Sequence, residues 1–224
     1  MTSRILAAIP FVCMAAAAGS LHYGPVAGLN VSNFRWDSKP YIYPEDRNGL
    51  AAGGYLTYDL DPRVQIRAEM WYSEKGGGAS YAEISTDSAS GLDLRSDYET
   101  AARLSYLELP VLISFILVRR ENQLGTVGLG PYVGWLLDGE LETRLFASTR
   151  AFSYSREYRL DGPRFRRADF GLTAGLTAYV YRFDVNVRYS KGLRPALAEE
   201  FDDINRFMYP VNRTWTFSLG YQIK

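Results

Sequence analysis

Apolar and polar residues alternate along most of the chain in segments of roughly ten residues. In residues 63–75, Val64, Ile66 and Met70 fall on one face and Arg67 and Glu69 on the other. Because successive side chains point to opposite sides of a β-strand, this alternation, with a period of two residues, predicts strands with one apolar and one polar face. Similar segments span residues 21–35, 49–60, 101–117, 124–137, 169–180, 183–190 and 214–223.

The connections between these eight segments alternate between short and long. Short connections lie at residues 60–62, 119–123 and 181–182, and long ones at residues 37–48, 76–100, 139–167 and 194–211. Outer-membrane barrels have short periplasmic turns, long extracellular loops and an even number of strands. The eight strands and their alternating short and long connections therefore predict an all-β fold. The predicted architecture is an eight-stranded antiparallel up-and-down transmembrane β-barrel with both termini in the periplasm.

Aromatic residues provide a separate check, because Trp and Tyr collect at both membrane interfaces. All four tryptophans, Trp36, Trp71, Trp135 and Trp215, fall at predicted outer ends of strands. The predicted periplasmic ends carry Tyr23, Tyr58, Phe115, Tyr179, Phe183 and Tyr221. Trp71 has inward parity, which predicts either a side chain that fills the mouth of the lumen or a β-bulge.

Residues 1–18 have the pattern of a secretory signal peptide, with Arg4 followed by an apolar run and small residues at Ala16 and Ala18. We expect cleavage near Ala18, which leaves residues 19–224 as the barrel domain. The apolar run is too short for a transmembrane helix, which needs about 20 residues. The single cysteine, Cys13, lies in this segment, so the exported chain is expected to contain no disulfide.

The distribution of charged residues indicates what fills the interior of the predicted barrel. The 25 basic and 25 acidic residues cancel, so no basic excess favours nucleic acid. Several charged residues have inward parity, and a charge facing lipid would be far costlier, so we expect structural ion pairs in the lumen. The candidates are Arg67, Glu69, Glu108, Asp169, Asp184 and Arg188. Glycines on the same face, such as Gly128 and Gly171, suit a narrow lumen or ordinary strand bends.

Six motifs, in order along the chain, resemble those of the PorT-like family of outer-membrane β-barrels. They are residues 69–76 (EMWYSEKG), 106–112 (YLELPVL), 130–134 (GPYVG), 169–172 (DFGL), 188–193 (RYSKGL) and 219–223 (LGYQI). The chain departs from the pattern at Ile223, where the family favours Phe, and in the additional Lys224. The resemblance implies a barrel in the bacterial envelope and no particular activity.

The sequence offers little for catalysis. A His-dependent nucleophilic site needs an imidazole beside a hydroxyl or a carboxylate, and the only histidine, His22, lies at the periplasmic end of the first strand. We therefore expect a protein that is not an enzyme and has no cofactor. The acidic residues Glu199, Glu200, Asp202 and Asp203 lack the ligand spacing of a calcium site, and we assign no metal.

The long connections are the candidates for recognition. Residues 139–167 carry Arg144, Arg150, Arg156 and Arg159 among aromatic residues, and partial alternation over residues 141–160 predicts a β-hairpin above the membrane. These arginines could bind phosphates of lipopolysaccharide, or the strands could pair with an extended partner, or the hairpin could be a solvated surface balanced by its glutamates. Residues 76–100 are rich in Gly, Ser and Asp and predict a flexible loop.

The sequence is compatible with three functions. The first is a structural or interaction platform in the outer membrane that supports secretion or adhesion. Its expected partners are outer-membrane lipid, lipopolysaccharide, the barrel-assembly machinery during insertion and an envelope protein, but no nucleic acid. The second is a narrow porin-like channel, and the third is a soluble eight-stranded ligand carrier, whose interior would be apolar.

Overall fold

The computed structural model describes residues 20–35, 42–86, 93–148, 153–161, 166–196 and 211–223. The elements within these ranges are β-strands, and none of the described residues forms a helix able to span a membrane. The strands are β1 (Leu21–Arg35), β2 (Ile42–Glu45), β3 (Arg47–Asp61), β4 (Val64–Thr86), β5 (Asp93–Arg120), β6 (Gln123–Ser148), β7 (Ser153–Asp161), β8 (Ala168–Val180), β9 (Phe183–Pro195) and β10 (Val211–Tyr221). The predicted signal peptide, Trp36, Arg150 and the acidic residues at 199–203 lie outside the described residues.

Eight of the described strands form a closed antiparallel ring in the order β1-β3-β4-β5-β6-β8-β9-β10. The ring closes where β1 pairs with β10, from Val26 opposite Gly220 to Arg35 opposite Val211. Closure removes the unpaired strand edges that a membrane cannot tolerate. The predicted barrel and its strand count are confirmed.

The two faces of the ring differ as the alternation predicts. Outward side chains are apolar and exposed, for example Leu29 and Leu172, whereas their inward neighbours Asn30 and Thr173 are buried and polar. A soluble carrier would have the opposite arrangement, with an apolar interior and a polar exterior. The soluble alternative is therefore wrong.

Three strands continue well beyond the ring and form an extension on the side of the long connections. β4, β5 and β6 run on together, and the short strands β2 and β7 join them to give the sheet order β2-β4-β5-β6-β7. The predicted hairpin is confirmed, since β6 pairs with β7 from Glu140 opposite Asp161 to Ser148 opposite Ser153. We call this sheet the extracellular extension.

The extension corrects the prediction of a flexible loop at residues 76–100. β4 and β5 pair without interruption from Gly76 opposite Arg103 to Thr86 opposite Asp93. This pairing satisfies the main-chain groups that a loop would leave to water. Gly76 marks where β4 exchanges its barrel partner β3 for β2, and its φ of 151° is a conformation that side chains rarely adopt.

Aromatic side chains occupy both faces of the ring. Trp135 and Trp215 face outward and are half exposed, and Tyr58 and Tyr221 face outward at the periplasmic end. Trp71 points into the lumen in regular register between Gly53 and Glu108, so there is no bulge at this position. Tyr179 also faces the lumen, and its assignment to the periplasmic aromatic belt is wrong because its parity on β8 is inward.

Candidate functional site in the lumen

Four charged side chains cross the periplasmic half of the lumen, and we call them the inner layer: Arg67, Glu69, Asp184 and Arg188. Arg67 donates from Nε to Glu69 Oε1 (2.5 Å) and from Nη1 to Asp184 Oδ2 (2.8 Å), and Arg188 forms an ion pair with Glu69. All four are buried. Since β4 and β9 lie on opposite sides of the ring, these contacts span the lumen.

Aromatic side chains surround the inner layer. The Arg67 guanidinium lies 4.0 Å from the centroid of the Tyr55 ring, and its Nη1 also donates to the Tyr179 hydroxyl (2.7 Å). Trp71 Nε1 donates to Glu69 (2.6 Å), and the Arg188 guanidinium lies 4.9 Å from the Trp71 ring. Two cations and two carboxylates therefore neutralise each other inside an aromatic cage.

A second cluster crosses the lumen nearer the extracellular side, and we call it the outer layer: Lys75, Glu108, Asp169, Tyr106, Tyr132 and Asn212. Lys75 forms an ion pair with Glu108. Within the described residues Asp169 has no ion-pair partner at contact distance, and it accepts instead from Asn212 Nδ2 (2.9 Å) and the Tyr132 hydroxyl (3.2 Å). Asn212 also donates to the Tyr106 hydroxyl (3.4 Å).

Glycine makes room for the outer layer. A Cβ added at Gly171 would lie 2.6 Å from the Tyr132 ring and 2.1 Å from the main-chain oxygen of Lys191. The absence of a side chain at Gly171 of β8 thus lets the Tyr132 ring lie across the narrow lumen.

The structure places all six predicted lumen charges inside the barrel, five of them in ion pairs and Asp169 in hydrogen bonds with neutral groups. Sequence reasoning missed Lys75, the tyrosines and Asn212. Their inward parity was the signal that could have found them, but parity gives the face of a strand and not the height at which side chains meet.

His22 lies at the periplasmic mouth in a short hydrogen-bond chain. Gln222 Nε2 lies 3.0 Å from His22 Nδ1, and His22 Nε2 lies 3.0 Å from Ser20 Oγ. Ser20 in turn donates to Asp59 Oδ2 (3.1 Å). In this network the Asp59 carboxylate contacts the Ser20 hydroxyl, and Gln222 contacts the imidazole ring.

The arginines of the extension are distributed along a hairpin. Arg144 is exposed and pairs with Glu142 at 2.5 Å. Arg156 and Arg159 lie on β7 opposite Leu145 and Glu142, and the structure describes only their main chain. Among the described residues, no three His, Cys, Asp or Glu side chains are grouped as metal ligands.

The comparison with protein families agrees with this architecture. Residues 14–198 match the family model described as the outer membrane protein beta-barrel domain. No curated protein matches the sequence.

Similar solved structures include Ail of Yersinia pestis in complex with a heparin analogue, at 15% identity over 91% of this chain and 99% of that chain, with a TM-score of 0.40. CarO2 of Acinetobacter baumannii has 11% identity over 90% and 99% of the two chains, with a TM-score of 0.40. Neisserial surface protein A has 8% identity over 89% and 96%, with a TM-score of 0.31. Because the family model covers most of the sequence, this chain belongs to the outer membrane protein β-barrel domain family and resides in the outer membrane.

Proposed function

We propose that the protein is a non-enzymatic platform of the outer membrane, whose plugged barrel holds an extracellular extension that carries out recognition. The observation that carries this proposal is the contrast between a lumen crossed by two layers of side chains and strands that continue far outside it. Arg67 meets Asp184, and Tyr106 meets Asn212, each across opposite strands of the ring. Such a lumen supports anchoring better than passage.

An envelope protein with an extended segment is the partner that the extension fits. β7 pairs on one side with β6, and within the described residues no strand pairs with its other side. An unpaired edge offers main-chain donors and acceptors to an added strand. A supporting role in secretion or adhesion would use this edge.

Lipopolysaccharide is the lipid partner that the outer surface of the barrel favours. Lys191 and Arg213 are directly opposite each other on β9 and β10, one step beyond the outward ring pair of Tyr189 and Trp215, whose centroids are 5.0 Å apart. Like charges directly opposite destabilise a sheet unless an anion binds both. A lipid phosphate just above the aromatic belt would do so.

Two further expectations accompany the proposal. The chain reaches the outer membrane after cleavage of a signal peptide near Ala18, and the barrel-assembly machinery inserts it. Mass spectrometry of the protein purified from outer membranes tests the first. A mature N-terminus at residue 19 supports cleavage at that site, and an N-terminus at residue 1 contradicts it.

Deletion of residues 145–160 tests whether the extracellular extension carries out recognition. We expect a folded barrel with the usual heat-dependent gel mobility, because the deletion leaves all pairing within the ring intact, but loss of the proteins that crosslink to the extracellular surface of the wild type. The matched control removes residues 62–63 at a periplasmic turn and replaces them with Asn-Gly. Unchanged crosslinking after the hairpin deletion would contradict the proposal.

A further inference from the structure

The periplasmic mouth of the barrel forms a cup that neither the lumen layers nor the extension uses. It has a volume of about 290 Å³, near the lower end of pockets that hold small molecules. Its wall includes Thr57, Asp59 and Gln65 of the ring, and its rim includes Arg119 and Gln222. Tyr179 forms part of the floor, and its hydroxyl already accepts from Arg67 of the inner layer. The inner layer therefore closes the cup toward the lumen.

Three lining residues of this cup carry polar atoms without partners. Both amide atoms of Gln65, the Thr57 hydroxyl and Asp59 Oδ1 are buried and have no hydrogen-bond partner within the described chain. Gln65 and Thr57 are each 1% exposed. A buried polar group without a partner destabilises a fold, and a bound molecule can supply the missing hydrogen bond. Neighbouring strands place these groups side by side, since Gln65 lies opposite Asp59.

The charges and hydrogen-bonding groups that line the cup indicate which class of ligand it can bind. The lining holds two arginines, Arg119 and Arg120, and two carboxylates, Asp59 and Glu121, so its formal charges cancel. Arg119 pairs with Asp59 at 3.2 Å, which leaves little net field to hold an ion. The other lining groups are mainly amides, hydroxyls and two tyrosines, which both donate and accept. This composition matches an uncharged molecule with many hydroxyl groups.

We propose that the cup binds one ring of a neutral sugar from the periplasm. The Gln65 amide would donate to one sugar hydroxyl and accept from another, and Thr57 would add a third contact from the adjacent strand. The hydrogen-bond chain from Gln222 through His22 and Ser20 to Asp59 holds the adjoining rim in place. The ring could come from a free sugar or from the end of a cell-wall glycan strand.

The test measures sugar binding to the mature full-length protein, folded in a detergent without a sugar headgroup, which would otherwise compete. Calorimetric titrations use N-acetylglucosamine in one arm and a soluble cell-wall glycan fragment in the other. We expect saturable binding in at least one arm. Binding of both probes in competition identifies a site for free sugar, and binding of the fragment alone identifies the glycan strand as its source.

Variants decide whether the cup is the site. Gln65→Met keeps the size of the side chain and removes both unpartnered atoms, and we expect affinity to fall about tenfold or more. Thr57→Val should weaken binding by a smaller factor. The control, Thr173→Val, removes a buried lumen hydroxyl on the other side of the inner layer and should bind as the wild type does. Heat-dependent gel mobility verifies that each variant is folded.

Two results would overturn the proposal. The first is the absence of saturable binding in both arms, which would mean that the cup holds only water. The second is equal affinity in the wild type and in folded Gln65→Met, which would place the sugar elsewhere.

Discussion

The inner and outer layers fill the same lumen by different chemistry. In the inner layer, two arginines and two carboxylates alternate across the barrel, and each ion touches a partner of opposite sign. In the outer layer, one lysine faces two carboxylates, and the second carboxylate, Asp169, is supported by a phenol and an amide. The inner layer therefore depends on charge neutralisation, and the outer layer depends in addition on neutral donors.

This difference follows from the residues that each strand directs inward. β4 and β9 supply Arg67 and Arg188, whose planar guanidiniums can contact more than one group. β6 and β10 supply Tyr132 and Asn212, which provide hydrogen bonds without charge. We expect substitutions in the inner layer to cost more than those in the outer layer, because they leave whole charges buried without partners.

Arg67→Met should have the largest effect. It leaves Asp184 without its cation and removes one of the two arginines from Glu69, and breaking a buried ion pair costs about 3–5 kcal/mol. The measurement is urea unfolding in lipid vesicles, followed by tryptophan fluorescence. The matched control is Arg119→Met, which breaks a partly exposed pair with Asp59 and should cost about 1 kcal/mol or less. Equal losses in the two variants would contradict the role of the inner layer.

Lys75→Met should have an intermediate effect of about 2 kcal/mol, since the side chain it leaves behind, Glu108, is slightly exposed and can be partly solvated. The same unfolding assay applies to Lys75→Met, Glu108→Leu and the double variant. If the ion pair stabilises the fold, the double variant should lose less than the sum of the two single losses. Strict additivity, or no loss in Glu108→Leu, would exclude a structural pair.

Asp169→Asn should have the smallest effect, about 1 kcal/mol, because an amide oxygen can still accept from Asn212 and Tyr132. Asp184→Asn is the companion variant in the inner layer and should lose more, since its carboxylate neutralises Arg67. Unfolding midpoints in the same vesicles compare the two. A larger loss of stability in Asp169→Asn than in Asp184→Asn would contradict the expectation that substitutions in the inner layer cost more.

The sequence was sufficient to predict the eight-stranded ring, but it was not sufficient to predict the contacts within the two lumen layers. The period of two and the alternating connections predicted eight strands, and the inward parity of residues such as Arg67 and Asp184 placed them in the lumen. The partner of Glu108 was not predictable, because Lys75 is on another strand and the height of contact depends on the register. The extension was missed at residues 76–100 because their composition is typical of a loop, whereas pairing between β4 and β5 is a property of the assembled sheet.

Planar-bilayer conductance of the purified protein tests most directly whether the lumen is plugged. The wild type is expected to show no resolved single-channel openings, because both layers cross the full width of the ring. A folded Arg67→Ser/Arg188→Ser variant, which removes both guanidiniums of the inner layer, serves as the control and is expected to be leakier than the wild type. Steady openings of the wild type in the same bilayers would contradict the plugged platform and favour a narrow channel.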